Sequence, residues 1–192
     1  MATHAGIDKE AVVRAAAKIA DDKGWDALTL AEVAAQLRIR PPSLYNHVGG
    51  VAGLRRELGL LAARELGAAL ARATVGKSRD DAVRGLATAY RAFVKRHAGI
   101  YAATMIMPAR NDTEIKAAGD EIVNTCLAVL SGYGFRGDDG IHAVRAMRSA
   151  VHGFCALESA GGFGIPLDVD KSFNWLVDSL IVGLAARSKP PS

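Results

Sequence analysis

The chain has 192 residues, half of them hydrophobic and 23% charged, which is a globular rather than a disordered composition. Its net charge of +4, divided evenly between residues 1–76 and the remainder, permits an anionic partner without naming one. Two cysteines cannot make a disulfide framework or a Cys-rich zinc site, no apolar run reaches the roughly 18 residues of a membrane span, and Asp8, Lys9 and Glu10 stand where a signal peptide needs apolar residues, so a cytoplasmic protein without a membrane partner is expected.

Helical periodicity runs along nearly the whole chain, and no segment alternates as a strand would. A first helix spans about Lys9 to Asp22, capped by Asp8 and stapled by Ile7 and Val12. Gly24 ends it, and Trp25 and Leu28 fold back as core anchors. Thr29 with Glu32 forms a capping box for a second helix, whose apolar stripe is Val33, Ala34 and Leu37. After the turn Arg38-Ile39-Arg40, Pro41 and Pro42 suit the first turn of a short third helix that ends near Val48 at Gly49-Gly50.

The rest of the chain predicts a helical body. Helices are expected over Val51 to Ala73, Arg79 to His97, Ile100 to Met107 (closed by Pro108), Asp112 to Tyr133, Ile141 to Ala160 and Val169 to Ala186. The loop Gly134 to Gly140 separates two of them, and residues 188–192 form a tail. The last two helices are apolar around more of their circumference than one core face needs, which suits burial against another subunit.

Three helices within about 50 residues, the last two short and joined by a tight turn, read as a helix-turn-helix. In the third helix Leu44 and Val48 are four apart and face inward. Ser43, Tyr45, Asn46 and His47 then face outward, and Arg38, Arg40, Arg55 and Arg56 form a basic rim. Short polar groups, a phenol and an imidazole on a protruding helix match what a major groove and its phosphates bind.

Leu28-Thr29-Leu30-Ala31-Glu32-Val33-Ala34-Ala35-Gln36-Leu37, followed by Ser43-Leu44-Tyr45-Asn46-His47-Val48 and Leu54, resembles the DNA-binding domain of TetR-family transcriptional regulators. The match covers roughly residues 7–54, and the helical body extends it along the chain. That body also resembles one subgroup through His97-Ala98-Gly99-Ile100-Tyr101 and Val151-His152-Gly153-Phe154. The resemblance implies an all-α fold: a three-helix head, residues 1–50, on a larger helical-bundle body, residues 51–192, for ligand binding and dimerisation. It implies a cytoplasmic homodimer, usually a repressor, that binds a palindromic double-stranded DNA operator and is released by a small-molecule effector. By position, Thr29, Tyr45 and His47 would meet phosphate, Pro42, Ser43 and Asn46 would approach base edges, and Arg40 would reach either. The sequence departs from the family at Val51, where a lysine usually opens the fourth helix; Arg55 or Arg56 would have to replace that contact. Gly49, Gly50 and Gly53 are expected to loosen this junction.

In the body, Tyr101, Met105, Cys126, His152, Phe154 and Trp175 are the aromatic, soft and polar groups expected to meet an effector. Both cysteines are expected to be buried and inert. The five histidines show no i, i+4 pair, and neither metal nor cofactor is expected. The competing reading is an all-α ligand-binding protein or helical enzyme without DNA binding. No nucleophile–base spacing or glycine-rich phosphate loop supports an enzyme, and His152 and Glu158, six apart, fall on different helix faces.

Overall fold

A computed structural model describes residues 7–105 and 112–188. Among the described residues there are nine α-helices and no strand: α1 Lys9–Lys23, α2 Leu30–Leu37, α3 Pro41–Val48, α4 Gly50–Thr74, α5 Arg79–Arg96, α6 Ala98–Ala103, α7 Thr113–Leu130, α8 Gly137–Ser159 and α9 Val169–Ala186. Helix α6 ends at Ala103, four residues before the expected Met107, because the chain turns at Thr104 and Met105; Met107, Pro108, His4 and residues 189–192 of the tail lie outside the described residues. The helices group into two compact units, Met1–Arg64 with Arg96–Lys116, and Glu65–Lys95 with Ala117–Ser192. No helix among the described residues is long and apolar enough to cross a membrane.

In the first unit the local signals act as their chemistry requires. The Asp8 carboxylate accepts the Ala11 N–H at 2.8 Å and caps α1, whose buried face is Val12, Val13, Ala15, Ala16, Ile19 and Ala20. Thr29 Oγ1 accepts the Glu32 N–H at 3.1 Å and caps α2. The capping box is only half closed, because the Glu32 carboxylate turns to Lys23 Nζ instead of returning to Thr29. Leu28 is buried as expected, whereas Trp25 is only half-buried, in a 3-10 turn over Trp25–Ala27. One face of its indole carries Arg55, with the guanidinium carbon 5.4 Å from the ring centroid.

Arg38 ends α2 in the left-handed region, φ 58° and ψ 40°, where its N–H reaches the Ala34 and Ala35 carbonyls. A side chain there pays a steric penalty that glycine does not. Arg38→Gly is therefore expected to stabilise the fold by about 0.5–1 kcal/mol in denaturant unfolding. An unchanged midpoint would show that the left-handed turn costs nothing here.

The α3–α4 junction is tight, not loosened by its glycines. Gly49 and Gly50 take φ 63° and 85°, which lets α4 start immediately. A Cβ on Gly53 would lie 1.8 Å from the Val48 carbonyl oxygen, so this glycine is where α4 passes against the end of α3. Similarly, a Cβ on Gly99 would lie 1.9 Å from the Ala20 carbonyl oxygen, so α6 lies backbone to backbone on the end of α1.

The second unit packs Val83, Leu86, Tyr90 and Phe93 of α5 with Cys126 and Leu130 of α7, Met147, Val151 and Cys155 of α8, and Phe173, Val177 and Ile181 of α9 into its core. Helix α8 begins at Gly137, four residues earlier than the glycines suggest. Asp138 and Asp139 suit the positive end of a first turn, and Gly140 is a packing position, since a Cβ there would lie 2.9 Å from Leu127. Burial pushes the Cys126 and Cys155 thiols up to about 11, which keeps both as unreactive thiols.

Candidate nucleic-acid interface

The third helix is short because a double proline opens it and Gly49 closes it. Pro41 and Pro42 occupy positions that need no N–H donor, and Gly49 in the left-handed region returns its N–H to the Tyr45 carbonyl. Eight residues give a rod about 12 Å long, and a helix of about 10–12 Å diameter with its side chains fits the roughly 12 Å width of a major groove. Leu44 and Val48 are buried, which fixes α3 on α1 and α2.

That anchoring leaves Pro42, Ser43, Tyr45 and Asn46 exposed on the outer side, with Tyr45 60% accessible, and His47 half-buried at the edge. Among the described residues, the Ser43, Tyr45 and Asn46 side chains make no hydrogen bond, so their donors and acceptors face solvent uncommitted. Arg40 is the residue before α3, and Thr29 stands exposed at the start of α2, with its hydroxyl already accepting the Glu32 N–H. The seven residues expected to meet DNA thus lie along α3 and at the two helix starts around it.

Of the basic rim, Arg56 has another task. Its guanidinium donates to both Asp112 carboxylate oxygens at 2.6 and 2.8 Å, to Glu114 at 2.7 Å and to Glu57 at 2.7 Å. Asp112 also accepts the Ile115 N–H at 3.2 Å, so it caps α7 while gripping α4. The Arg56 hydrogen bonds hold the Asp112 and Glu114 carboxyls below the usual carboxylate range. Arg38, Arg40 and Arg55 have no carboxylate partner among the described residues.

A second joint, which sequence periodicity does not reveal, ties α6 to α1. Asp21 Oδ2 lies 2.8 Å from His97 Nδ1, and Asp21 Oδ1 accepts the Ile100 N–H at 3.0 Å. With Gly99 against Ala20, this gives His97, Gly99 and Ile100 of the His-Ala-Gly-Ile-Tyr element a structural role. The unit that contains α1 to α3 therefore also takes in Arg96–Lys116.

The expected effector residues divide between the units. Tyr101 is buried in α6 and Met105 is exposed just after it, both in the first unit. Cys126, His152, Phe154 and Trp175 belong to the second. There Phe154 packs on Phe163 and Phe173, with centroids 4.8 and 5.1 Å away, under the Arg91 guanidinium. Arg91 in turn pairs with Glu158 and Asp170, joining α5, α8 and α9. Trp175 does not join them: it stands 79% exposed on α9, on a face shared with Val182.

The described residues thus form an all-helical protein whose first unit holds the two short helices and tight turn of a helix-turn-helix. Residues 83–180 match the Tetracyclin repressor-like, C-terminal domain family. The chain is 36% identical over 189 residues to the HTH-type transcriptional regulator Rv0681 of Mycobacterium tuberculosis, covering 98% of this chain and 86% of that protein. It is 32% identical over 190 residues to the HTH-type transcriptional regulator YobS of Bacillus subtilis, covering 98% of each. In fold it is similar to a TetR variant of Acinetobacter baumannii AYE solved with minocycline, at a TM-score of 0.72 and 23% identity, over 96% of this chain and all of that one. The chain belongs to the TetR family of transcriptional regulators, a family of regulators and not of enzymes.

Proposed function

We propose that this protein is a cytoplasmic, ligand-responsive repressor that binds a palindromic operator as a homodimer and leaves it when a small molecule binds. The observation that carries the DNA-reading part is the outer side of α3. An anchored helix of groove width presents Ser43, Tyr45 and Asn46 with their hydrogen-bonding capacity uncommitted. Asn46, Ser43 and Pro42 read base edges, Tyr45, His47 and Thr29 hold phosphates, and Arg40 reaches either. Residues 1–50 serve as the reading head, and residues 51–192 dimerise and sense.

The dimer reading is supported by α8 and α9, which pack on one another and leave an apolar surface uncovered. Trp175 and Val182 are 79% and 68% exposed and seven apart, so they share one side of α9. Exposed Ala146, Ser149 and Ala156 line α8 at similar spacing and would let helices approach closely. Trp175 is assigned to this face and not to an effector site.

Tyr101, Met105, Cys126, His152 and Phe154 remain the proposed effector contacts. A dimeric helix-turn-helix protein reads half-sites about 34 Å apart or a multiple of that. Release follows if the effector binds better to a state with the wrong separation of the two α3 helices.

Selection of bound duplexes from a random DNA pool tests this reading. A palindromic consensus is expected, and recovery of no preferred sequence would overturn it. On the selected duplex Asn46→Ala should lose about 1–3 kcal/mol and relax preference at one base position, while Tyr45→Ala should weaken selected and random DNA alike. Equal loss for Asn46→Ala on both duplexes would remove it from base reading.

A further inference from the structure

We propose that Arg55, shelved on the ring of Trp25, is a DNA-phosphate contact on the fourth helix; the inference rests on the DNA-binding reading above. Four observations carry it. The first turn of α4, Gly50, Val51, Ala52 and Gly53, holds no charge, so nothing in that turn can meet a phosphate electrostatically. Arg56, the other cation within reach, is consumed by Asp112, Glu114 and Glu57. Arg55 is exposed and has no carboxylate partner among the described residues. It also lies over a half-buried indole at 5.4 Å, which restrains the guanidinium without neutralising it.

Placement fits the role. Arg55 is one turn after Val51 on the same side of α4, and long helical side chains lean toward the N-terminus of their helix. That end of α4 abuts α3: a Cβ on Gly50 would lie 3.6 Å from the Tyr45 ring. Trp25, the shelf, stands in the turn that leads into Thr29 at the start of α2. A guanidinium held over a ring at 5.4 Å still has N–H groups free to take a phosphate, and restraining it in advance lowers the entropy lost on binding.

The test is the salt dependence of binding by the full-length protein to the pool-selected duplex, read as the slope of log affinity against log salt. Arg55→Gln is expected to flatten the slope by about 0.9 per protomer, because one phosphate per protomer is no longer neutralised. Arg55→Lys, which keeps the charge, should hold the wild-type slope. Val51→Lys added to Arg55→Gln should restore it, since it returns a cation to the same side one turn earlier. An unchanged slope in Arg55→Gln overturns the proposal, as does a slope lost equally in Arg55→Lys. If the wild-type protein itself shows no salt-dependent DNA binding, the underlying DNA-binding reading falls instead. A melting temperature for Arg55→Gln within a few degrees of wild type is the expected control, because the side chain is exposed, holds no ion pair and loses only its contact with the Trp25 ring.

Discussion

Gly53→Ala is expected to destabilise the protein by about 3 kcal/mol or more, lowering its melting temperature by roughly 10 °C, whereas Gly119→Ala should raise stability by about 0.5–1 kcal/mol. Both glycines lie inside helices, α4 and α7, so propensity alone predicts a gain from alanine at each. The difference is in what a methyl group meets. At Gly119 nothing lies within 4 Å. At Gly53 the new carbon would be 1.8 Å from the Val48 carbonyl oxygen and 2.9 Å from its carbon. A flexible side chain could turn away from such an overlap, but this is the backbone at the end of α3, which Leu44 and Val48 hold in the core. Relief therefore requires α3 to move relative to α4. The same substitution should weaken DNA binding more than stability alone explains, because α3 carries the proposed reading face. Thermal melts of the two variants against wild type decide the matter, and a neutral Gly53→Ala would mean that the junction has room the structure does not show.

Trp175→Asp is expected to raise the dimer dissociation constant on the order of 100-fold, as central aromatic residues of interfaces do when lost. The indole is the largest apolar group on the uncovered face of α9, and a carboxylate in its place would have to be desolvated without a partner. Among its polar helix neighbours, the Ser179 hydroxyl donates to the Trp175 carbonyl at 2.8 Å and the Asp178 carboxylate is paired with Arg84. Operator affinity should fall with the dimer, because a single α3 reads only one half-site. Trp175→Phe should remain dimeric. Sedimentation equilibrium of the three proteins measures this directly. A monomeric wild type, or a Trp175→Asp variant that dimerises as tightly as wild type, would remove α9 from the interface.

Much of the architecture was legible in the residues because helix signals are short-range. Asp8, Thr29, Pro41 and Pro42 act on backbone groups within a turn of themselves, so the ends of α1, α2 and α3 can be read without knowing what they pack against. The outer side of α3 follows from the four-residue spacing of Leu44 and Val48 by the same reasoning. Glycine was the weak point. At Gly137 and Gly140 it reads as a loop yet lies in α8, and at Gly53 it reads as slack yet marks a backbone contact. A missing side chain leaves no mark of whether it permits freedom or close approach.

The sequence by itself determined an all-helical chain with a helix-turn-helix at its start and the TetR family as its kin, since periodicity, caps and the Ser43–Val48 pattern are local properties. Tertiary structure alone decided which charges are free and which are structural. Arg55 and Arg56 are adjacent, but Arg56 grips Asp112, 56 positions away, while Arg55 rests on Trp25. Asp21 meets His97 across 76 positions, which joins Arg96–Lys116 to the unit that contains α1 to α3. It also decided that Trp175 faces outward while Phe154 packs against Phe163 and Phe173. Two equally apolar rings look alike along a helix; which one is covered depends on neighbours that only the folded chain brings to it.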